Sequence, residues 1–300
     1  MQNAKSGSSG MVRSKSTKIG DWIVVFICVL LILICLLPML NLLARSLSSP
    51  TALMRNEVVL WPVGLNLSAY QTVLKDPKYT WALGWSAILT VICTIVSMAM
   101  TVLCAYPLIY DHLKGRKFFN TLIILTMYFS AGTIPNFLLY KDLNLLDKPL
   151  VLIIPNCLSV FNMIVMRSFF YGIPDSLRES AEIDGANPIR ILVSIYLPLS
   201  TAVLATLSLF YAVGRWNGYS DALLFMNNRT YYPIQLLLYY ILTAMTSIEV
   251  ATQEGFNSTP GLSETLKAAT VMFATVPILL IYPWLQKYFI AGVTIGAIKE

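Results

Sequence analysis

Six separated apolar runs, each close to the length that crosses a bilayer, limit what this chain can fold into. They are residues 22–43, 79–110, 118–140, 149–166, 191–214 and 268–286. A helix rises about 1.5 Å per residue, so roughly 20 apolar residues span a hydrocarbon core about 30 Å thick. With 57% apolar and only 12% charged residues and a mean hydropathy of +0.68, the chain departs from the roughly 25% charged composition of soluble domains. The expected fold is an all-α polytopic membrane protein with six transmembrane helices.

The first run is longer than a signal-peptide core, and no small-x-small cleavage site follows it, so it counts as the first span. Residues 1–20 before it are polar and basic and read as a flexible cytoplasmic tail, with Ser6–Gly10 a natural start or an added linker. Residues 21–300 then form one membrane domain. The basic tail and the turn Lys114-Gly115-Arg116-Lys117 place both termini in the cytoplasm by the positive-inside rule. Basic residues are spread over short loops instead of forming one patch, so the net charge of +6 reports topology and not nucleic-acid binding. Cys28, Cys35, Cys93, Cys104 and Cys157 all lie in apolar stretches, where a thiol acts as a small hydrophobe.

None of the six runs carries Asp, Glu, Lys, Arg or His in its core. Ion-coupled transporters need such groups inside the membrane, so energy for any transport must enter elsewhere. Prolines 38, 107, 135, 155, 198, 277 and 283 interrupt or border the runs; they read equally as helix kinks or as the lining of a polar path. Small polar residues such as Ser86, Thr94, Ser97 and Thr101 read as helix-packing contacts. Residues 217–265 read as an external segment, and within it 236–248 is short for a span; it is placed at the membrane surface, with re-entrant and spanning forms as the alternatives.

The connection 171–197 holds the most specific local signals. Pro174 starts a helix, Gly185 ends it in a left-handed conformation, and Asn187 caps a second helix with Pro188 in its first turn. The expectation is a helix-turn-helix on the cytoplasmic face, whose small residues Ser180, Ala181, Gly185 and Ala186 let the first helix enter a partner's cleft. A plain linker between spans is the alternative from periodicity alone.

Glu179-Ser180-Ala181, Asp184-Gly185-Ala186 and Ile195 followed by Leu197-Pro198 resemble the EAA loop of ABC-importer permeases, with Ser180 in place of the middle alanine. Asn66–Tyr70, Ala105-Tyr106-Pro107, Trp216-Asn217 and Gly292–Ala297 extend the resemblance towards the carbohydrate-uptake branch that handles oligo- and polysaccharides. The resemblance implies a type I importer (MetI-like) core in a bacterial cytoplasmic membrane. It also implies a second homologous permease, two ATPase subunits that use ATP and Mg, an extracellular sugar-binding protein and a saccharide substrate.

On that reading the loop residues Glu179 to Pro198 couple to the ATPase. The chain is not an enzyme and needs no cofactor or metal of its own, since it has neither a phosphate-binding G-x-x-x-x-G-K-[ST] loop nor an H-E-x-x-H pair. His112, the only histidine, reads as a solvated residue beside the basic turn. For the sugar path, aromatic and amide side chains near the spans are the candidates: Tyr128, Asn136, Asn162, Tyr211, Trp216 and Asn217. Two other readings remain at this point: a permease for polyamines, phosphonates or peptides, and a secondary transporter.

Overall fold

The computed structural model describes residues 15–253 and 260–297, and every regular element among them is helical. In chain order these are α1 (Lys15–Ser46), α2 (Pro50–Met54), α3 (Ser68–Lys75), α4 (Pro77–Ala105), α5 (Arg116–Tyr128), α6 (Thr133–Asp142), α7 (Leu150–Ile153) and α8 (Val160–Tyr171). Next come α9 (Asp175–Ile183), α10 (Pro188–Leu199), α11 (Thr201–Asn217), α12 (Ser220–Phe225), α13 (Ile234–Gln253) and α14 (Pro260–Ala297). The described residues divide into two units, 15–69 with 260–269, and 70–253 with 270–297.

In the first unit, α1 is apolar on all sides, and its side chains from Trp22 to Leu40 are exposed. A helix of that kind is compatible only with an apolar surrounding. It begins at Lys15, so the last six residues of the expected tail are already helical; residues 1–14 lie outside the described part. Its C-terminal end is tied by polar contacts. Ser48 Oγ donates to Ala44 O at 2.6 Å and accepts from Val63 N at 3.0 Å, and Arg45 pairs with Glu264.

The second unit is organised on α4. Asp76 caps it by accepting from Lys78 N at 2.9 Å with Pro77 in the first turn, and Pro107 follows its last turn. α4 runs along α11 and also packs on α8 and α13. Its small residues at these contacts, Ala82, Ser86, Ser97, Thr101 and Ala105, are buried and bring the helix backbones close together.

Several expected spans differ from what the helices do. Three stretches, Gly20–Ser46, Pro77–Ile109 and Glu264–Ile281, are long and apolar enough to cross a bilayer unbroken. Residues 118–140 are two helices, α5 and α6, bent by 116° at Phe129–Gly132, where Gly132 takes φ +89°. Residues 149–166 are likewise divided: α7 stops at Ile153, residues 154–159 are non-helical, and Ser159 caps α8 by accepting from Asn162 N. Pro155 supplies no N–H to continue the first helix. Residues 191–214 are not one continuous helix either, because α10 and α11 meet at 85° around Ser200. Pro198 lacks the donor that α10 would need, and a π-helical turn over Leu192–Tyr196 precedes it.

The segment expected at the membrane surface, 236–248, falls within a single helix. α13 starts at Ile234, and Ile234 and Leu236 are fully buried against α4 and its neighbours. Residues 254–259 of the expected external segment lie outside the described part. The helix is fixed at its start by a neighbour: Ser86 Oγ on α4 accepts from Ile234 N at 2.7 Å, satisfying a donor that the first turn cannot pair itself. Ser86→Ala should leave that buried N–H unpaired and cost about 1–3 kcal/mol, read as a lower thermal unfolding midpoint of the detergent-solubilised protein.

Candidate functional site

The connection after α8 folds as its residue types require. α9 closes with both bonds of a Schellman motif: Ala186 N donates to Ala181 O at 2.9 Å and Gly185 N to Glu182 O at 3.1 Å. Gly185 carries this turn at φ +78°. A Cβ there would meet nothing within 4 Å, so backbone conformation and not crowding calls for glycine. Asn187 restarts the helix, accepting from Arg190 N at 2.8 Å, with Pro188 at the first position. Pro174 is the residue just outside α9 and not its first residue.

Two tyrosines at the end of α4 hold this helix pair. Tyr106 donates its hydroxyl to Pro188 O at 3.0 Å on α10. Its single proton is thereby used, so the 2.5 Å contact between the Tyr106 and Tyr110 hydroxyls has Tyr110 as donor. The Tyr110 ring lies under Arg178 of α9, whose guanidinium carbon is 5.1 Å from the ring centroid. Arg178 also bonds Asp175 at 3.1 Å and reaches Glu182 at 3.5 Å, and its side chain is only 18% exposed. Burial works against its charge, but the hydrogen bond to Asp175 and the charges of Glu182 and Asp175 outweigh it, so its pKa stands above the usual arginine value. Behind these groups Tyr106, Phe170 and Tyr196 meet edge to face, with centroids 5.2–6.3 Å apart.

The motif residues divide between two faces. Ala181, Ala186, Ile195 and Leu197 are partly buried against the chain's own core, whereas Glu179, Ser180, Asp184, Gly185 and Pro198 are exposed. Ala181 and Ala186 thus let the loop approach its own bundle, contrary to the expectation that they face outwards. Ile183 and Ile189, which the motif does not include, are 86% and 73% exposed. Beside α10 an apolar recess of about 470 Å³ is lined by Leu103, Tyr106, Tyr110, Pro188 and Leu192, with exposed His112 at its edge.

A second, polar cavity of about 370 Å³ lies deeper, between α4, the non-helical residues 154–159, α8 and α11. Of the expected path residues it brings together Asn162 and Tyr211. The Tyr211 hydroxyl is 2.7 Å from Thr101 Oγ1 and accepts from Ser159 N at 3.0 Å. The other four lie elsewhere. Tyr128 is an exposed residue at the α5–α6 break, Asn136 sits on α6, and Asn217 bonds back to Val213 O at 3.0 Å. Trp216 is buried with its indole N–H on Ala274 O, as a packing residue would be.

Sequence reading missed Arg215 and Asp221 in this cavity. Arg215 makes a bidentate pair with Asp221 at 2.5 and 3.1 Å and donates to Leu152 O and Gly218 O at 3.3 and 3.0 Å. The apolar run ended at 214, one residue short, although α11 continues to Asn217. An arginine next to an apolar run with an aspartate six residues on was the available signal.

Residues 83–295 match the family described as the binding-protein-dependent transport system inner membrane component. The chain belongs to that family. It is a membrane-integral transport permease subunit and not an enzyme. It is 40% identical to the polygalacturonan/rhamnogalacturonan transport system permease protein YtcP of Bacillus subtilis (strain 168), over 89% of this chain and 93% of that protein. The protein LplC of the same organism is 38% identical over 89% and 90%. Among solved structures, a bacterial ABC transporter involved in the import of the acidic polysaccharide alginate superposes with a TM-score of 0.83 at 32% identity, covering 92% of this chain and 99% of that one.

The permease's loop anchor can be tested at Tyr106. Tyr106→Phe removes the donor to Pro188 O and the acceptor of Tyr110, and amide hydrogen exchange at residues 189–192 should quicken by roughly two- to tenfold, equivalent to about 0.5–1.5 kcal/mol.

Proposed function

We propose that this permease forms half of the path of an ATP-driven importer of oligo- or polysaccharides in the bacterial cytoplasmic membrane. The observation that carries the substrate class is the 40% identity to a polygalacturonan/rhamnogalacturonan permease over nearly the whole chain. The 32% identical alginate importer supports it. So does the 27% identical arabinooligosaccharides permease protein AraQ of Halalkalibacterium halodurans, aligned over 96% of this chain. Its partners on this reading are a second homologous permease, two ATPase subunits and an extracellular sugar-binding protein. ATP and Mg are used by the ATPase alone.

In this mechanism the α9–α10 corner lies in the cytoplasm with both termini and docks on an ATPase subunit through Glu179, Ser180, Asp184 and Gly185. Ala181, Ala186, Ile195 and Leu197 shape the corner from behind, and exposed Pro198 sits near the end of α10. ATP-driven closure of the ATPase pair moves the corner as a rigid body, and the helices anchored to it alternate between outward- and inward-facing arrangements. Asn162 and Tyr211 lie on the sugar path; Tyr128, Asn136, Trp216 and Asn217 have no shared cavity to support that role.

The test is uptake by the whole complex, with its binding protein, in proteoliposomes. Trigalacturonate, an alginate trisaccharide, arabinotriose and sn-glycerol-3-phosphate serve as the panel. Uptake of at least one saccharide that requires ATP, and co-purification of an ATPase subunit, are expected; uptake of the glycerol phosphate alone, or uptake without nucleotide, overturns the reading. Within that assay Gly185→Val should lower uptake about tenfold or more, because a left-handed backbone costs an L-residue roughly 1–2 kcal/mol. Gly185→Asn, which tolerates that conformation, should retain more of it.

A further inference from the structure

The polar cavity holds one polar group that the fold does not use. Asn162 is 5% exposed and lines the cavity, and its side-chain amide has no hydrogen-bond partner among the described residues. Arg215 has a side chain 7% exposed; its four terminal N–H directions serve Asp221, Leu152 and Gly218, and its Nε–H is sealed from the cavity with no partner among the described residues. A buried polar group left unpaired costs about 1–3 kcal/mol. The Asn162 amide, unpaired and open to the cavity, is the group that a bound molecule would satisfy.

The position of the cavity supports this. Cys93 and Ser97 on its wall lie near the middle of the Pro77–Ile109 stretch, hence near the middle of the bilayer. The opposite wall includes residues 154–159, where the backbone is not helical. Broken helices at that depth are tolerated where they line a polar cavity, and in transporters such breaks form substrate sites.

The charges define the class of ligand. Arg215 is neutralised by Asp221 at 2.5 Å, so the cavity carries no net charge. It offers an amide that both donates and accepts and the ring walls of Phe210 and Tyr211. A sugar ring has the matching chemistry, with hydroxyls at its edge and C–H groups on its faces. The volume of about 370 Å³ is at the low end for small-molecule sites, with room for one part of a glycan and not a long chain.

We propose that the cavity between α4, α8 and α11 is a subsite of this subunit that reads the ring hydroxyls of the transported glycan, with the Asn162 amide as its ligand contact. A uronate carboxylate is not what it selects, because its arginine is already paired. The proposal rests on the saccharide reading above and narrows it.

The test compares wild type with Asn162→Leu in the assembled complex in proteoliposomes. The probe is whichever of trigalacturonate or arabinotriose the wild type imports, alongside analogues in which single ring hydroxyls are replaced by hydrogen. At least one deoxy analogue should enter the wild type about tenfold more slowly than its parent. In Asn162→Leu the parent should slow to the rate of that analogue, while the unfolding midpoint is unchanged or higher because the amide has no partner to lose. A lower midpoint with equal loss for every probe, or a ratio identical to wild type, overturns the subsite and leaves the saccharide reading standing. If wild type imports neither probe, nor any saccharide of the panel, the saccharide reading fails and the subsite with it.

Discussion

Hydrocarbon offers no hydrogen bonds to a peptide group, and this governs how the permease can interrupt its helices. A break in the membrane survives only if its freed N–H and C=O groups find partners. At the α7–α8 break the partners come from α4 and α11: Ser97 reaches Asn156 O at 3.4 Å, Arg215 donates to Leu152 O, and Tyr211 accepts from Ser159 N. The polar side chains of two otherwise apolar helices are therefore conditions for residues 154–159 to exist in their observed form. Asp221 is required in turn, because Arg215 without it would be a buried unpaired charge.

The same logic links the break to the corner proposed to lie in the cytoplasm and dock on the ATPase. α4 carries Ser97 and Thr101 at the deep cavity and Tyr106 at the corner, with Tyr110 just beyond its end. Tyr106 bonds α10 and Tyr110 lies under Arg178 of α9, so both helices of the corner are fastened to one rod. Helix interiors transmit displacement because they are closely packed and yield little. On the proposed mechanism, force applied at the corner reaches the cavity through α4 as well as through α11, which leaves the corner directly at Ser200.

What could be read from sequence depended on how local the cause was. Gly185, Asn187 and Pro188 act through their own backbone and the next three residues, so the turn was legible to the residue. The 85° bend at Ser200 was not, because residues 191–214 are apolar on both sides of it and hydropathy carries no direction. Pro198 gave a reason for a break without an angle. The α7–α8 break was hidden in the same way, since the residues that stabilise it sit 59 and 52 positions away in the pairs Ser97–Asn156 and Ser159–Tyr211. Residues 236–248 were short for a span by length, yet Leu236 is buried against α4, which length does not register.

The corner itself shows how small residues and large ones divide the work. Ala181 and Ala186 face inwards, where small side chains let α9 and the turn settle on Tyr106, Tyr110 and the core behind them. The outward surface is left with Glu179 and Asp184 beside Ile183 and Ile189, two large apolar side chains almost fully exposed. Single exposed hydrophobes are ordinary, but two on a rigid corner, next to carboxylates with no ion-pair partner among the described residues, form a mixed surface of the kind found at protein interfaces. Burying Ile183 and Ile189 in a partner is worth up to about 1.5–3 kcal/mol each, whereas the two carboxylates contribute mainly orientation. Affinity at the corner would therefore come from isoleucines outside the motif, and the motif's small residues would matter because they hold those isoleucines in place.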